Sequence, residues 1–225
     1  MIDYLNYGKQ VQGIPKEPRS IGKAARPENL GWLEYKLNQT ELNHIWGCVN
    51  QRKERHNNYL AGNISYSYLL EDKNNWFYDN TIIPLINQYE STFLNLGKKV
   101  AVYSDDNKSI SYALKAWWVN YQKQYEFNPS HNHTGGVYSF AIWLKIPYEW
   151  EEQNKDNKSR AKVKGSFLFE YTSMVGEVRE LEYKLGKKYE GTMLFFPSKL
   201  HHLVNPFYNC EEDRISVSGN ISLKV

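Results

Sequence analysis

Two spacings of apolar residues divide this chain near residue 100. Before it, Leu42, Ile45, Trp46 and Val49 recur at three- and four-residue intervals, the period of one helix face. Thr40 precedes them with a hydroxyl able to take backbone N–H groups and Glu41 follows it, so a helix is predicted over about 41–54. Asn75 reads as a second cap, and Trp76, Phe77, Ile82, Ile83, Leu85, Ile86, Tyr89, Phe93 and Leu94 form a second stripe up to Gly97. Pro84 is expected to kink this helix or to mark its true start. Gly13, Pro15, Pro18, Gly22 and Pro27 make residues 1 to about 30 an expected extended surface arm. Two short runs, Trp32 to Leu37 and Ile64 to Leu70, suit strands.

After residue 100 the helical period disappears. Short apolar or alternating runs occupy 100–104, 110–121, 136–146, 166–172, 178–185, 190–196, 202–207 and 214–224, separated by turn residues. Strands in close succession without intervening helices predict a sandwich, jelly roll or barrel. The segment 148–164, dense in Glu, Asp, Asn and Lys, is expected to be a solvated, mobile excursion. The division expected is residues 1–99 as arm and supporting helices and 100–225 as a β core, the two forming one integrated domain.

Composition agrees with a mainly β protein: 15% of residues are aromatic, with 18 tyrosines and 7 tryptophans. The 28 basic and 25 acidic residues are interspersed and leave a net charge of +3, with no broad footprint for nucleic acid. No run of 18 apolar residues occurs, and the amino terminus lacks a basic segment followed by an apolar one. A soluble, cytoplasmic protein without membrane partners is therefore expected. Cys48 and Cys210 stand in unlike contexts, which argues against a disulfide framework; each is read as a buried free thiol. Oligomeric state leaves no trace in the pattern.

The candidate chemistry lies in histidines. Four of the six sit in two stretches, Pro129-Ser130-His131-Asn132-His133 and Ser198-Lys199-Leu200-His201-His202. In extended backbone, residues i and i+2 point to the same side, so His131 and His133 can aim both imidazoles at one point. A single histidine is more often a hydrogen-bonded core or surface residue, and the second cluster is what raises the metal reading above that. His201 and His202 point oppositely if extended, and His202 is chosen as the inward one. Asp105, Asp106 and Glu170 are further acidic candidates that no spacing places at the site.

The order His131-x-His133, then Phe196-Pro197-Ser198-x-Leu200-x-His202, then Arg214-x-Ser216-x-x-x-Asn220 resembles the Fe(II)- and 2-oxoglutarate-dependent oxygenases, in particular a group common in marine bacteria and their phages. The resemblance runs from about Ala116 to Leu223. It implies a double-stranded β-helix, the cupin-like jelly roll, with amino-terminal helices packed on one sheet. It also implies His131 and His202 as metal ligands and Arg214, with Ser216, as the holder of the far carboxylate of 2-oxoglutarate. His131, His202 and Arg214 would then carry catalysis, and Asn120 and Tyr121 would line the cosubstrate pocket.

His133 departs from the usual pattern, which has Asp or Glu there. Three imidazoles on Fe(II), one imidazole with water in its neighbour's place, or another metal such as zinc all fit; three histidines on Fe(II) is preferred. The implied activity couples O2 and decarboxylation of 2-oxoglutarate to succinate with oxidation, by default hydroxylation, of a prime substrate, a small molecule or a peptidyl residue. A phage origin would place the protein in the host cytoplasm. The competing readings are a cupin-like three-histidine dioxygenase that needs no 2-oxoglutarate and a non-catalytic β-sandwich binding module.

Overall fold

Asn38 and Glu41 start the first helix by capping each other. The Glu41 backbone N–H donates to Asn38 Oδ1 at 3.0 Å and the Asn38 N–H returns to the Glu41 carboxylate at 2.8 Å, a reciprocal box. Helix α1 thus runs Gln39–Asn50, two residues earlier than the Thr40 cap predicts. A computed structural model describes residues 30–100 and 110–224; the expected amino-terminal arm before residue 30, and all but the first residue of the expected 100–104 strand, lie outside them.

The second cap is also displaced. Asp72, not Asn75, accepts the N–H groups of Phe77 and Tyr78, at 2.9 and 2.8 Å, while Asn74 and Asn75 take left-handed backbone. A π turn over Tyr78–Ile82 leads into α2, Ile83–Thr92. Pro84 sits in its first turn, where no amide donor is needed, so it marks the true start. A short α3 follows at Leu96–Val100.

Ten strands form two antiparallel sheets among the described residues. They are β1 Leu33–Lys36, β2 Tyr66–Leu69, β3 Tyr112–Gln122, β4 Asn128–His131, β5 Tyr138–Lys145, β6 Phe167–Thr172, β7 Val178–Tyr183, β8 Thr192–Pro197, β9 His201–Val204 and β10 Arg214–Leu223. The larger sheet has the order β1-β8-β5-β10-β3-β2 and the smaller β4-β9-β6-β7. Two facing sheets with helices on the outside of the larger one make the double-stranded β-helix expected. β1 and β2 come from the first hundred residues, so that part of the chain supplies sheet edges as well as helices.

Strand alternation assigns the two faces of the larger sheet. On β3, Trp117 and Val119 pack against Ile45 and Val49 of α1 and Leu85, Ile86 and Tyr89 of α2, while Ala116, Trp118, Asn120 and Gln122 face the space between the sheets. β10 alternates likewise, with Val217 and Ile221 toward the helices and Ser216, Ser218 and Asn220 inward. Gly219 lies on the helix side, where a Cβ would stand 2.5 Å from the Phe140 ring and 2.8 Å from Trp117 Cβ. Gly219→Ala is therefore expected to destabilise the protein by about 2 kcal/mol, the usual cost of overpacking, read as a lower denaturation midpoint in urea.

The charged stretch 148–164 joins β5 to β6 with more than half of its residues exposed, as expected of a solvated excursion, but it is not without structure. It holds a short helix, α4 at Trp150–Asn154, and the buried Asn154 amide donates to the carbonyls of Trp150 and Lys164 at 2.9 and 3.0 Å. Cys48 is a buried free thiol, whereas Cys210 is only partly covered. No helix among the described residues is long and apolar enough to cross a membrane.

Candidate metal centre

β4 and β9 lie side by side in the smaller sheet with His131 opposite His202. This register follows from chain geometry: His131 ends β4, and His133 hangs from the turn after it, where its backbone N–H donates to Ser198 O at 2.8 Å. The three rings converge, with centroids 4.2 Å apart for His131 and His202, 5.1 Å for His131 and His133, and 5.2 Å for His133 and His202. Their nearest nitrogens all fall within 4.8 Å of one another. His202 is buried and His201 is exposed, as the choice between them expects.

The tautomers are set by the backbone. Nδ1 of His131 lies 2.8 Å from Pro129 O and Nδ1 of His202 lies 3.0 Å from Leu200 O. A carbonyl only accepts, so each Nδ1 carries the proton and each Nε2 keeps a lone pair for a metal. Burial, with repulsion between neighbouring imidazoles, pushes His202 down to about 3 and His133 down to about 4; burial also lowers His131. All three are neutral at pH 7, the form a ligand needs. Phe196 and Phe167 pack on His202 at 5.0 and 5.9 Å and limit its rotation. By donor type, spacing and protonation the three residues fit one transition-metal ion.

Behind the ligands a latch ties the two histidine segments together. Asn132 Nδ2 donates to His201 Nε2 at 2.7 Å, and Ser130 lies 3.5 Å from His201 Nδ1 while donating to Glu170. Glu170, considered above as a ligand, is thus engaged on the outer face, while Asp105 and Asp106 lie outside the described residues. Asn132→Ala should weaken Zn(II) or Co(II) binding about three- to tenfold by calorimetry, the worth of one partly exposed positioning hydrogen bond.

The far end of the cavity holds a buried cation. Arg214, 1% exposed, donates through Nη2 to Gln122 Oε1 at 2.5 Å and through Nη1 to the Tyr148 hydroxyl, between the rings of Tyr148 and Phe207. Tyr148 in turn donates to Gly165 O at 2.8 Å. These acceptors are neutral, and no ion pair involves Arg214 among the described residues. A buried guanidinium without a counter-ion costs several kcal/mol, so an anion placed beside Arg214 would be stabilised. The three histidines, Arg214, Ser216 and Asn120 line one cavity of about 240 Å³.

Residues 116–220 match a family model described as "Putative 2OG-Fe(II) oxygenase". Over this stretch, just under half of its length, the chain is similar to that family. Among solved structures, the chain is similar to an oxidoreductase of the 2OG-Fe(II) oxygenase family from Burkholderia pseudomallei, at 14% identity over 82% of this chain and 80% of that one, with a TM-score of 0.45. It is also similar to a Pseudomonas putida prolyl-4-hydroxylase, at 11% identity over 87% and 94%, with a TM-score of 0.48. A third likeness is to OsALKBH1, at 11% identity over 87% and 100%, with a TM-score of 0.47. What those proteins act on is theirs, and nothing of it is carried to this chain. No curated protein matches the sequence.

Within the oxygenase stretch one expected pocket residue is displaced. Tyr121 follows the inward Asn120 and so turns to the helix side, with its ring 6.2 Å from Tyr68 and 5.6 Å from the Arg52 guanidinium. The alternation rule that pairs His131 with His133 separates Asn120 from Tyr121. Sequence reasoning also misses Gln122 and Tyr148, the two partners of Arg214, and Trp118, which lines the cavity. For Gln122 the same alternation was a usable signal, two residues beyond Asn120; for Tyr148 none was.

Proposed function

We propose that the protein is a non-heme Fe(II)- and 2-oxoglutarate-dependent dioxygenase, by default a hydroxylase, with His131, His133 and His202 holding the metal. The single observation that carries this is Arg214, a buried guanidinium lacking a counter-ion and sharing one cavity with three neutral imidazoles. When bound, Fe(II), 2-oxoglutarate and O2 supply an oxidative decarboxylation to succinate and an oxidant for the prime substrate. Arg214 would take the carboxylate farthest from the metal through paired, charge-assisted hydrogen bonds, with Ser216 beside it. Gln122 and Tyr148 hold the guanidinium in place, and Ser67 holds Asn120 by donating to its Oδ1 at 2.6 Å. The aromatic packing around His202 keeps water from its imidazole. A three-histidine enzyme without 2-oxoglutarate would need some other anion to pair with Arg214.

The test is anaerobic titration with Fe(II) and then 2-oxoglutarate, followed by the weak visible charge-transfer band of the chelate. The parent should show the band and, on admission of oxygen, form succinate; His202→Ala and Arg214→Gln should show neither. Metal binding with no response to 2-oxoglutarate would reject the cosubstrate in favour of the cupin-like reading.

A further inference from the structure

The cavity carries more positive charge than the proposed cofactors neutralise. Among the described residues no aspartate or glutamate lines it. Three neutral imidazoles add nothing to a divalent ion, Arg214 adds one positive charge, and 2-oxoglutarate is a dianion, so the loaded site keeps one uncompensated positive charge in a poorly hydrated space. Such a charge is costly unless something negative joins it.

A donor waits at the metal end for that charge. Along β3 the inward residues run from Gln122 at the guanidinium, through Asn120, to Trp118 beside His133, the two rings in a T-shaped contact with centroids 6.3 Å apart. Trp118 is 6% exposed, and its indole N–H has no acceptor among the described residues. No buried side-chain nitrogen or oxygen among the described residues is both sealed off and unpartnered, so this N–H retains some access, and Trp118 lines the cavity. The neighbouring wall is apolar or flat: His56 lies against Trp118 at 5.7 Å and stacks on Tyr59 at 5.2 Å, and Leu60, Ala61 and Gly62 continue it. The wall is preformed, because Asn63 exchanges backbone hydrogen bonds with Phe127 at 2.8 and 3.4 Å.

We propose that the prime substrate is a small organic acid, its anionic head beside Trp118 and His133 and its apolar or aromatic body along the wall from His56 to Gly62. The inference rests on the function proposed above and narrows it, since a neutral or cationic substrate would leave the charge uncompensated.

The test uses the full chain loaded anaerobically with Co(II) and 2-oxoglutarate, and calorimetric titration with benzoate and butyrate, benzamide as neutral isostere and benzamidine as cation. Benzoate or butyrate should bind saturably and benzoate at least about tenfold tighter than benzamide, the difference one charge-assisted contact makes. Trp118→Phe should lose about tenfold in affinity for the acid while changing 2-oxoglutarate affinity less than about twofold. Tyr59→Ala, a change at a residue 81% exposed that folding tolerates, should weaken benzoate as well. If 2-oxoglutarate binds through Arg214 but neither acid binds, or benzamide or benzamidine binds as tightly, the organic-acid assignment alone falls. It also falls if Trp118→Phe weakens 2-oxoglutarate instead of the acid. If 2-oxoglutarate fails to bind the parent protein, both assignments fall together.

Discussion

His202→Ala should bind Fe(II) or Co(II) at least about 100-fold more weakly than the parent protein, because it removes one of three ligands whose spacing is set by strand pairing. The parent's unfolding temperature should rise when metal is added, by the equivalent of about 2.7 kcal/mol at a hundredfold excess over Kd; the variant's should not move. His202 fills space among Phe167, Phe169 and Phe196, so alanine also leaves a cavity that costs about 2–4 kcal/mol of stability. His202→Gln keeps most of the volume, separating the two effects: it should restore the melting temperature without metal but not the response to metal. Equal metal affinity in the parent and both variants would remove the metal centre from the molecule's description.

The second large effect is expected at Arg214. Arg214→Gln should lower 2-oxoglutarate affinity by about 100- to 1,000-fold, the range for truncating one partner of a buried charged pair, and leave Co(II) affinity nearly unchanged. Stability of the protein without cosubstrate should change little, since the substitution removes a buried charge along with its contacts. Arg214→Lys keeps the charge but not the fork that Gln122 and Tyr148 hold, so an intermediate loss is expected. Calorimetry with metal, then with 2-oxoglutarate, reads both affinities on one sample. A loss of metal binding equal to the loss of 2-oxoglutarate binding would mean that Arg214 supports the fold and not an anion.

The parts of this molecule that could be read from sequence are those set by local periodicity. Alternation puts His131 and His133 on one side and allows only one of His201 and His202 to face them, and the change from helical to strand spacing near residue 100 marks where the supporting helices give way to successive strands. The misread caps show the limit of single-residue signals. Thr40 looked sufficient, but the reciprocal pair Asn38 and Glu41 was present at the proper spacing and decides the start of α1. The stretch 148–164 is largely exposed, as its charge-rich composition predicts, but composition says nothing of α4 or of the one buried amide, Asn154, that reaches the Lys164 carbonyl. The seat of Arg214 was illegible for a deeper reason. Tyr148 lies 66 residues from Arg214, and only tertiary packing brings that hydroxyl to the guanidinium.

The imidazoles and the guanidinium belong to different sheets. β4, β9 and the turn after β4 present the nitrogens, whereas β10 in the opposite sheet presents Arg214. On the function proposed, a diacid held by a metal at one end and by Arg214 at the other would straddle the seam of the sandwich, so the separation of its two layers would act as a caliper on the length of dicarboxylate accepted.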